Sequence, residues 1–426
     1  IYCYDFIDLM ERAIGSAWKQ AGRRRPNCKL LEAIELLLPP NPDVNKGLIE
    51  TKRPRGQNKI GMVAWLFTMK TPEAQNGRQI VLISNDITFK AGSFGTREDE
   101  LFLRASKYAR SKGLPRIYCA ANSGARIGMA TEVRDAFKVA WVDSDDNTKG
   151  FEYLYLTPED NDRLLSLGSV QTKRIVVNSL TDGDEGEIRY VITDVIGAGL
   201  DLGVENLRGS GTIAGETSRA YKDVFTLTYV TGRCVGIGAY LVRLGQRTIQ
   251  KENSAPILLT GYQALNKLMG KAVYTSNAQL GGPDIMYNNG VSHNLVSDDY
   301  QGVREILRWL SYVPIVKGAS LPLLPSSDLG DTPDRSIEVE VIKTATDPRI
   351  LLAGYMRAAS PSSGFESTEW VSGFFDKESF HETMAGWAKT VVTGRARLGG
   401  IPVGVIMTEE RTMEKTAPAD PAAPTS

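Results

Sequence analysis

Between residues 60 and 260 the sequence alternates short apolar runs with segments of helical period, and this alternation restricts the chain to an α/β body. Runs of strand length fall at 60–69, 79–85, 115–121, 151–156, 173–178, 188–193, 224–230 and 256–260. Three- and four-residue apolar spacing predicts helices over 97–112, 126–140, 211–221, 235–245 and 261–268. Strand pairs stand beside single helices, so the order is less regular than strict βαβ alternation. Before this body, Phe6, Leu9, Met10, Ala13, Ile14 and Ala17 predict an amphipathic helix over 5–20, with Asp5 placed to cap it. Residues 39–58, rich in Pro, Asn, Lys and Arg, read as an exposed loop. After it, a helix over 299–312 would bury Val303, Ile306, Leu307 and Leu310, and residues 316–368 show no clear period. Order resumes with a helix near 377–386 and apolar segments at 387–393 and 401–407. The Ala/Pro-rich end reads as flexible.

Composition removes several function classes. Lys+Arg and Asp+Glu each total 50, so the basic excess of a nucleic-acid-coating protein is absent. Cys3, Cys28, Cys119 and Cys234 form no CxxC pair, which argues against a zinc ribbon or a disulfide framework and suits a reducing compartment. No apolar run approaches the ~20 residues of a membrane span. The chain begins without Met and shows no signal-like segment, so it is expected to be cut from something longer. Only two histidines occur, His293 and His381, which limits Ser/His, Cys/His and zinc chemistries.

Two segments share one design. Arg116-Ile-Tyr-Cys-Ala-Ala-Asn-Ser-Gly-Ala-Arg-Ile-Gly128 runs from an apolar strand into Asn-Ser-Gly, with a helix expected to open near Ala125. Phe225-Thr-Leu-Thr-Tyr-Val-Thr-Gly-Arg-Cys-Val-Gly-Ile-Gly238 repeats the order of strand, Gly-bearing turn and helix. Helix N-termini expose unpaired N–H groups, and small residues let a ligand oxygen approach them. Two such termini converging on one point would form an oxyanion hole from backbone alone. On spacing alone, the plain reading of both as tight turns is favoured. Arg126 and Arg233 follow these turns and suit phosphate or carboxylate, with a structural arginine bonded to carbonyls or acids as the equal alternative. For His293 a hydrogen-bonded loop residue is favoured over a catalytic one.

Other motifs fail. Gly236-Ile-Gly238 has Leu241 where a dinucleotide fingerprint needs its third Gly, and Gly197-Ala-Gly199 has Leu202 there. No P-loop and no GxSxG elbow occurs; Ser123 and Ser210 sit in other contexts. Met69-Lys70-Thr71 is near the Met-Lys-Met of biotin carriers, but its flank reads as a strand interior and Lys70 as an ordinary lysine.

Longer blocks carry a resemblance: Asn85–Gly95, Ala120–Met129, Gly203–Gly211, Thr231–Tyr240, Gln279–Gly282, Tyr287–His293 and Gly394–Gly404. Through these the chain resembles the carboxyltransferase component of eukaryotic-type multidomain acetyl-CoA carboxylases, over nearly its whole length. The resemblance implies a crotonase-like (ClpP/crotonase) β-β-α superhelix, the first of two such domains in tandem. Its expected divisions are an N-terminal helix and loop (1–58), the core (59–315), an irregular excursion (316–368), the end of the domain (369–411) and a flexible link to a second crotonase-like domain (412–426). This chain would correspond to the bacterial β subunit without its zinc ribbon.

The family's active site lies between the first domain of one protomer and the second domain of its partner. Residue by residue, Ala125 and Ile237 match the positions whose backbone N–H groups hold an anionic or enolate oxygen, with Gly236 and Gly238 keeping the second loop close to the thioester. That overturns the plain turn reading. Arg233 matches a CoA-contacting arginine, Leu207 and Tyr240 match residues lining the acyl pocket, and Arg126 is carried as a substrate-binding candidate. The implied function is carboxyl transfer from carboxybiotin to acetyl-CoA, giving malonyl-CoA for fatty acid synthesis. The implied partners are a biotin carboxyl carrier domain, the second carboxyltransferase domain and a homodimer partner, with no metal in this domain, no nucleic acid and no membrane span. The expected address is cytoplasmic, with a plastid form left open. A propionyl-CoA-type carboxyltransferase and a non-catalytic CoA-binding or assembly module are the alternatives.

Overall fold

The computed structural model describes residues 1–40, 47–177, 186–197, 203–325, 331–340, 346–358, 368–415 and 418–423, with the side chains of 203–207 outside that description. Its centre is one eight-stranded sheet. The strands in chain order are β1 (Leu31–Leu37), β2 (Ile49–Thr51), β3 (Met62–Thr71), β4 (Ala74–Asn85), β5 (Arg116–Ala120), β6 (Thr226–Val230), β7 (Arg247–Lys251) and β8 (Asn294–Val296). Their spatial order is β8-β7-β6-β5-β4-β3-β1-β2. From β4 to β8 every neighbour is parallel, whereas β1, β2 and β3 join by antiparallel pairing.

The near-continuous apolar run of β3 reflects burial on both faces. Val63, Trp65, Phe67 and Met69 point to one core, and Met62, Ala64 and Leu66 to the other. Helices α1 (Asp5–Gln20) and α5 (Asp299–Ser311) cover the first face, the former with Phe6, Met10, Ile14 and Trp18, the latter with Val303, Ile306 and Leu310. Helix α2 (Thr96–Lys112) packs Leu101, Phe102, Ala105 and Ala109 on the second face, joined by Ile213 of α3 (Gly203–Asp223) and by Leu241 and Val242 of α4 (Ile237–Leu244). Each of the larger aliphatic and aromatic side chains among these contributes ~1.5–3 kcal/mol by leaving water, and truncating the central Trp65 to Ala should cost ~3–5 kcal/mol. Buried Arg78 and Arg397 close the far end of α5, donating to the carbonyls of Val313 (3.0 Å) and Ser311 (2.6 Å) among others.

Several sequence expectations are corrected. Tyr4, not Asp5, precedes α1, and the Asp5 carboxylate accepts the Tyr2 N–H at 3.2 Å. The loop expected at 39–58 contains β2, which pairs with Glu35–Leu37. No helix opens near Ala125: the helix expected at 126–140 is one turn, Thr131–Arg134, followed by a strand at Lys138–Trp141. There Ala130, Val133 and Phe137 fill a satellite core with Leu156, Leu164 and Val170, against an antiparallel sheet of 138–141, 151–156, 187–195 and 170–177. The helix expected near 377–386 is replaced by a strand, His381–Thr383, which pairs with Val391–Leu398 and through it with Ile401–Thr408. Within the described parts of 316–368, a helix (Pro348–Ala353) and a strand (Tyr355–Ala358) form, the strand pairing with Thr368–Val371. No helix among the described residues is long and apolar enough to cross a membrane.

Candidate active site

Strands β5 and β6 are parallel neighbours, with Ala120 in register with Val230. Their carboxyl ends therefore release the two small-residue turns side by side, where parallel α/β sheets place their ligands. The N–H groups of Thr231 and Gly232 both donate to the Ala120 carbonyl (3.1 and 3.3 Å), and Asn122 N–H donates to the Arg233 carbonyl at 2.7 Å. Gly124, at φ +80°, lies flat on the Val235–Gly236 peptide: a Cβ there would stand 3.0 Å from the Val235 oxygen.

Asn122 joins the turns. Its side chain is fully buried, and its Oδ1 accepts the N–H groups of Gly124 (3.2 Å) and Val235 (3.3 Å). Its Nδ2 donates to the Tyr118 hydroxyl (3.3 Å) and to Cys234 Sγ (3.6 Å). The Tyr118 hydroxyl donates onward to Asn85 Oδ1 at 2.6 Å. Burial pushes Tyr118 and Cys234 far above their ordinary pKa values, so both stay protonated and the network is neutral. Gly238 leaves room for this amide, since a Cβ there would lie 2.0 Å from Asn122 Oδ1.

Ala125 and Ile237 are among the amides of these turns that have no acceptor among the described residues, together with Ser123, Arg233 and Gly238. Ile237 opens α4, where a helix has no i−4 carbonyl to offer, and Gly236 before it turns the chain at φ +54°. Ala125 instead lies in extended chain bridged to Phe94. Phe94 N–H donates to the Gly124 carbonyl (2.8 Å) and its carbonyl accepts Arg126 N–H (2.7 Å), which leaves the Ala125 N–H facing the other way.

The remaining candidates divide. Arg233 is exposed, and its Nη2 donates to Ser123 Oγ at 2.8 Å, so it reaches across both turns. Tyr240 lies in the first turn of α4 with half its surface in solvent. Arg126 is held inward by Ser93 (Nε to Oγ, 3.2 Å) and Glu98 (3.3 Å) and lies over the Phe89 ring. Leu207 belongs to α3, its side chain among those not described. Gly197-Ala-Gly199 and Leu202 also fall largely outside the described residues. Lys70 is half-buried within β3, its Nζ 3.4 Å from Cys28 Sγ.

His293 accepts the Thr248 N–H on Nδ1 at 2.9 Å, the hydrogen-bonded arrangement favoured from sequence. Burial, and then the charges of Arg247 and Arg243, lower it to about 4, so it is neutral near pH 7. His381 pairs with Glu305 between the rings of Trp309 and Tyr312. Sequence reasoning missed a second anchor. Asp299, first residue of α5, accepts from Tyr229 (2.7 Å) and Thr231 (2.5 Å) and pairs with Lys251 (3.1 Å). Burial raises this carboxyl, but those bonds outweigh it and leave the group below its ordinary value. No cluster of three or more metal-ligating side chains occurs among the described residues.

The arrangement offers fixed N–H dipoles beside an exposed cation. The chain is 52% identical over 429 residues to the acetyl-CoA carboxylase of Saccharomyces cerevisiae, which covers 100% of this chain and 18% of that protein. It is 49% identical over 429 residues to the acetyl-CoA carboxylase of Schizosaccharomyces pombe, with the same coverage. It is 50% identical over 427 residues to acetyl-CoA carboxylase 2 of Oryza sativa subsp. japonica, covering 99% of this chain and 17% of that protein. The chain thus spans less than a fifth of the length of these relatives. The pattern of the carboxyl transferase domain matches residues 72–417, a span that includes β4 to β8 and both turns, and the chain belongs to that family.

Proposed function

We propose that this chain is the acyl-CoA-binding half of the carboxyltransferase of a multidomain acetyl-CoA carboxylase. The observation that carries the reading is the meeting of two turns, each with an unpartnered amide, at the carboxyl ends of adjacent parallel strands. The thioester oxygen would sit between Ala125 N–H and Ile237 N–H. As the methyl proton leaves, negative charge collects on that oxygen, and preorganised dipoles hold it at no reorganisation cost, each donor contributing ~3–4 kcal/mol. Gly236 and Gly238 shape the second turn, Arg233 reaches for the CoA phosphates, and Leu207 and Tyr240 line the acyl pocket. Arg126 would act as a brace between the first turn and α2 more than as a direct contact.

When bound, carboxybiotin on a carrier domain would supply CO2 by cleavage of its N–CO2 bond and, as the ureido anion left behind, a base for the methyl proton. The covalent attachment of biotin is proposed to lie outside this chain: Lys70, whose flank is near a carrier motif, is half-buried near the end of β3. The chain's own residues bind, orient and stabilise charge, and the nucleophile is the acetyl-CoA enolate carbon, which forms the new C–C bond of malonyl-CoA.

The finer fold assignment is a crotonase-like superhelix, supported by the parallel run β4–β8 and the short parallel pair Cys234–Val235 with Ile257–Leu258. The divisions 59–315 and 369–411 are proposed as the body of the first of two such domains. Its partners would be the second carboxyltransferase domain, a dimer mate and the carrier domain, in the cytoplasm or, for a plant-type enzyme, the plastid. Exposed Ile127, Met129, Tyr240 and Leu259 beside the two turns suit a surface that another domain covers.

The test is turnover. The full-length protein should convert acetyl-CoA and carboxylated biotin to malonyl-CoA, with propionyl-CoA a poorer substrate, and residues 1–426 alone should not. Robust turnover by residues 1–426 alone would overturn the shared-site reading. Preference for propionyl-CoA would reassign the substrate.

A further inference from the structure

Asn122 contributes nothing to a ligand directly: it is wholly buried, and its polar atoms are spent on protein groups. The choice of those groups is informative. One oxygen binds one N–H from each turn, Gly124 immediately before Ala125 and Val235 two residues before Ile237. Its own backbone N–H ties to Arg233 of the opposite turn, 2.7 Å away. On the far side, Gly238, the residue after Ile237, has its would-be Cβ position filled by the Asn122 amide. Asn122 is therefore in contact with the chain on both sides of Ile237 and with the residue preceding Ala125.

We infer that Asn122 is the positioning residue that sets the spacing of the Ala125 and Ile237 N–H groups around the acyl oxygen. The inference rests on the oxyanion reading above and adds what enforces its geometry. Hydrogen bonds of this kind fix donors to within tenths of an ångström, and a displacement of ~1 Å in a catalytic group can cost ~100-fold in rate. A carboxylate at this place would accept the same two amides but put a charge beside the developing enolate. A serine would be too short to span both turns. Asparagine satisfies the reach and the neutrality together, and its Nδ2 is held by Tyr118 and Cys234, both kept protonated by burial.

The experiment uses the full-length protein and [1-13C]acetyl-CoA, reading the thioester carbonyl stretch by isotope-edited infrared spectroscopy alongside steady-state kinetics. In the wild type the bound carbonyl should shift to lower frequency, because two N–H donors polarise it. Asn122→Ala should lose most of that shift and ~30–100-fold in kcat, with KM for acetyl-CoA changed less than about threefold. Gly238→Ala serves if Asn122→Ala does not fold, because its new methyl displaces the Asn122 amide while deleting no hydrogen-bonding group, and the same two losses are expected. A purely structural Asn122 would lower the melting temperature and leave shift and kcat in place. That outcome overturns the inference with the oxyanion reading intact. A wild-type carbonyl that does not shift on binding overturns the oxyanion reading, and the inference falls with it.

Discussion

The turns that follow β5 and β6 meet at Asn122, yet they free an amide by different means. After β6 the chain enters a helix, and Ile237 is left without an acceptor because it is the first helical residue. After β5 the chain stays extended, and Ala125 is left without one because Phe94 takes the carbonyl before it and the amide after it. In extended chain successive amides face opposite ways, so the middle one is turned out. What the turns share is a glycine at positive φ directly before the donor, Gly124 at 80° and Gly236 at 54°. The common requirement is thus a reversal of the chain at one residue, which glycine alone adopts without strain. A helix is one way of using it.

The largest effects should come from removing each donor in turn. Ile237→Pro deletes the amide at the first position of a helix, where proline is well accommodated, so the fold should survive while kcat falls ~100–1000-fold. Ile237→Val should stay within about threefold of wild type. Ala125→Pro, in extended chain, tests whether the second donor matters equally; a loss confined to one turn would break the symmetry of the pair. Melting temperatures measured beside the rates separate lost chemistry from lost fold.

An intermediate effect is expected at Arg233, the side chain that spans both turns. Arg233→Ser should raise KM for acetyl-CoA ~10-fold, about 1.4 kcal/mol, with kcat nearly unchanged, because a CoA contact binds ground and transition states alike. A collapse of kcat at constant KM would give Arg233 a chemical role.

The smallest effect on rate belongs to His293, outside both turns. His293→Gln should not show the ~10²–10⁴-fold loss of a missing general base. Its signature is stability. The folded state holds this imidazole at about 4 against an ordinary 6.5. Between those values the unfolded chain binds more protons, so stability should fall as pH drops from about 6.5 towards 4, by up to ~3 kcal/mol. Urea midpoints across that range should show the decline in the wild type and a flatter profile in His293→Gln.

The legible part of the fold was the part whose burial is periodic. The cores of β3, β4, β5 and β6, and α1, α2 and α5, follow from apolar runs and helical spacing. The segment 126–140 misled because Ala130, Val133 and Phe137 fit a helical face, whereas Lys138–Trp141 finds a strand partner in Phe151–Leu156. Pairing with a distant partner decides such segments, and no local window contains it. β7 and β8 were missed for the same reason, being short runs completed by parallel neighbours. At the site, the turns and their glycines were visible as pattern, and the resemblance selected their donors. Asn122 was not, because Val235, one of the groups it bonds, lies 113 residues away.

The central claim is that acyl oxygen charge is held by backbone amides from both turns. The most direct measurement is a crystal or cryo-electron-microscopy structure of the full-length protein with acetyl-CoA, or an analogue of its enolate, bound. The expected result places the thioester oxygen ~2.7–3.1 Å from both Ala125 N and Ile237 N. An oxygen bound instead to a side chain, or lying clear of the Ala120–Arg126 and Val230–Gly238 turns, would contradict it.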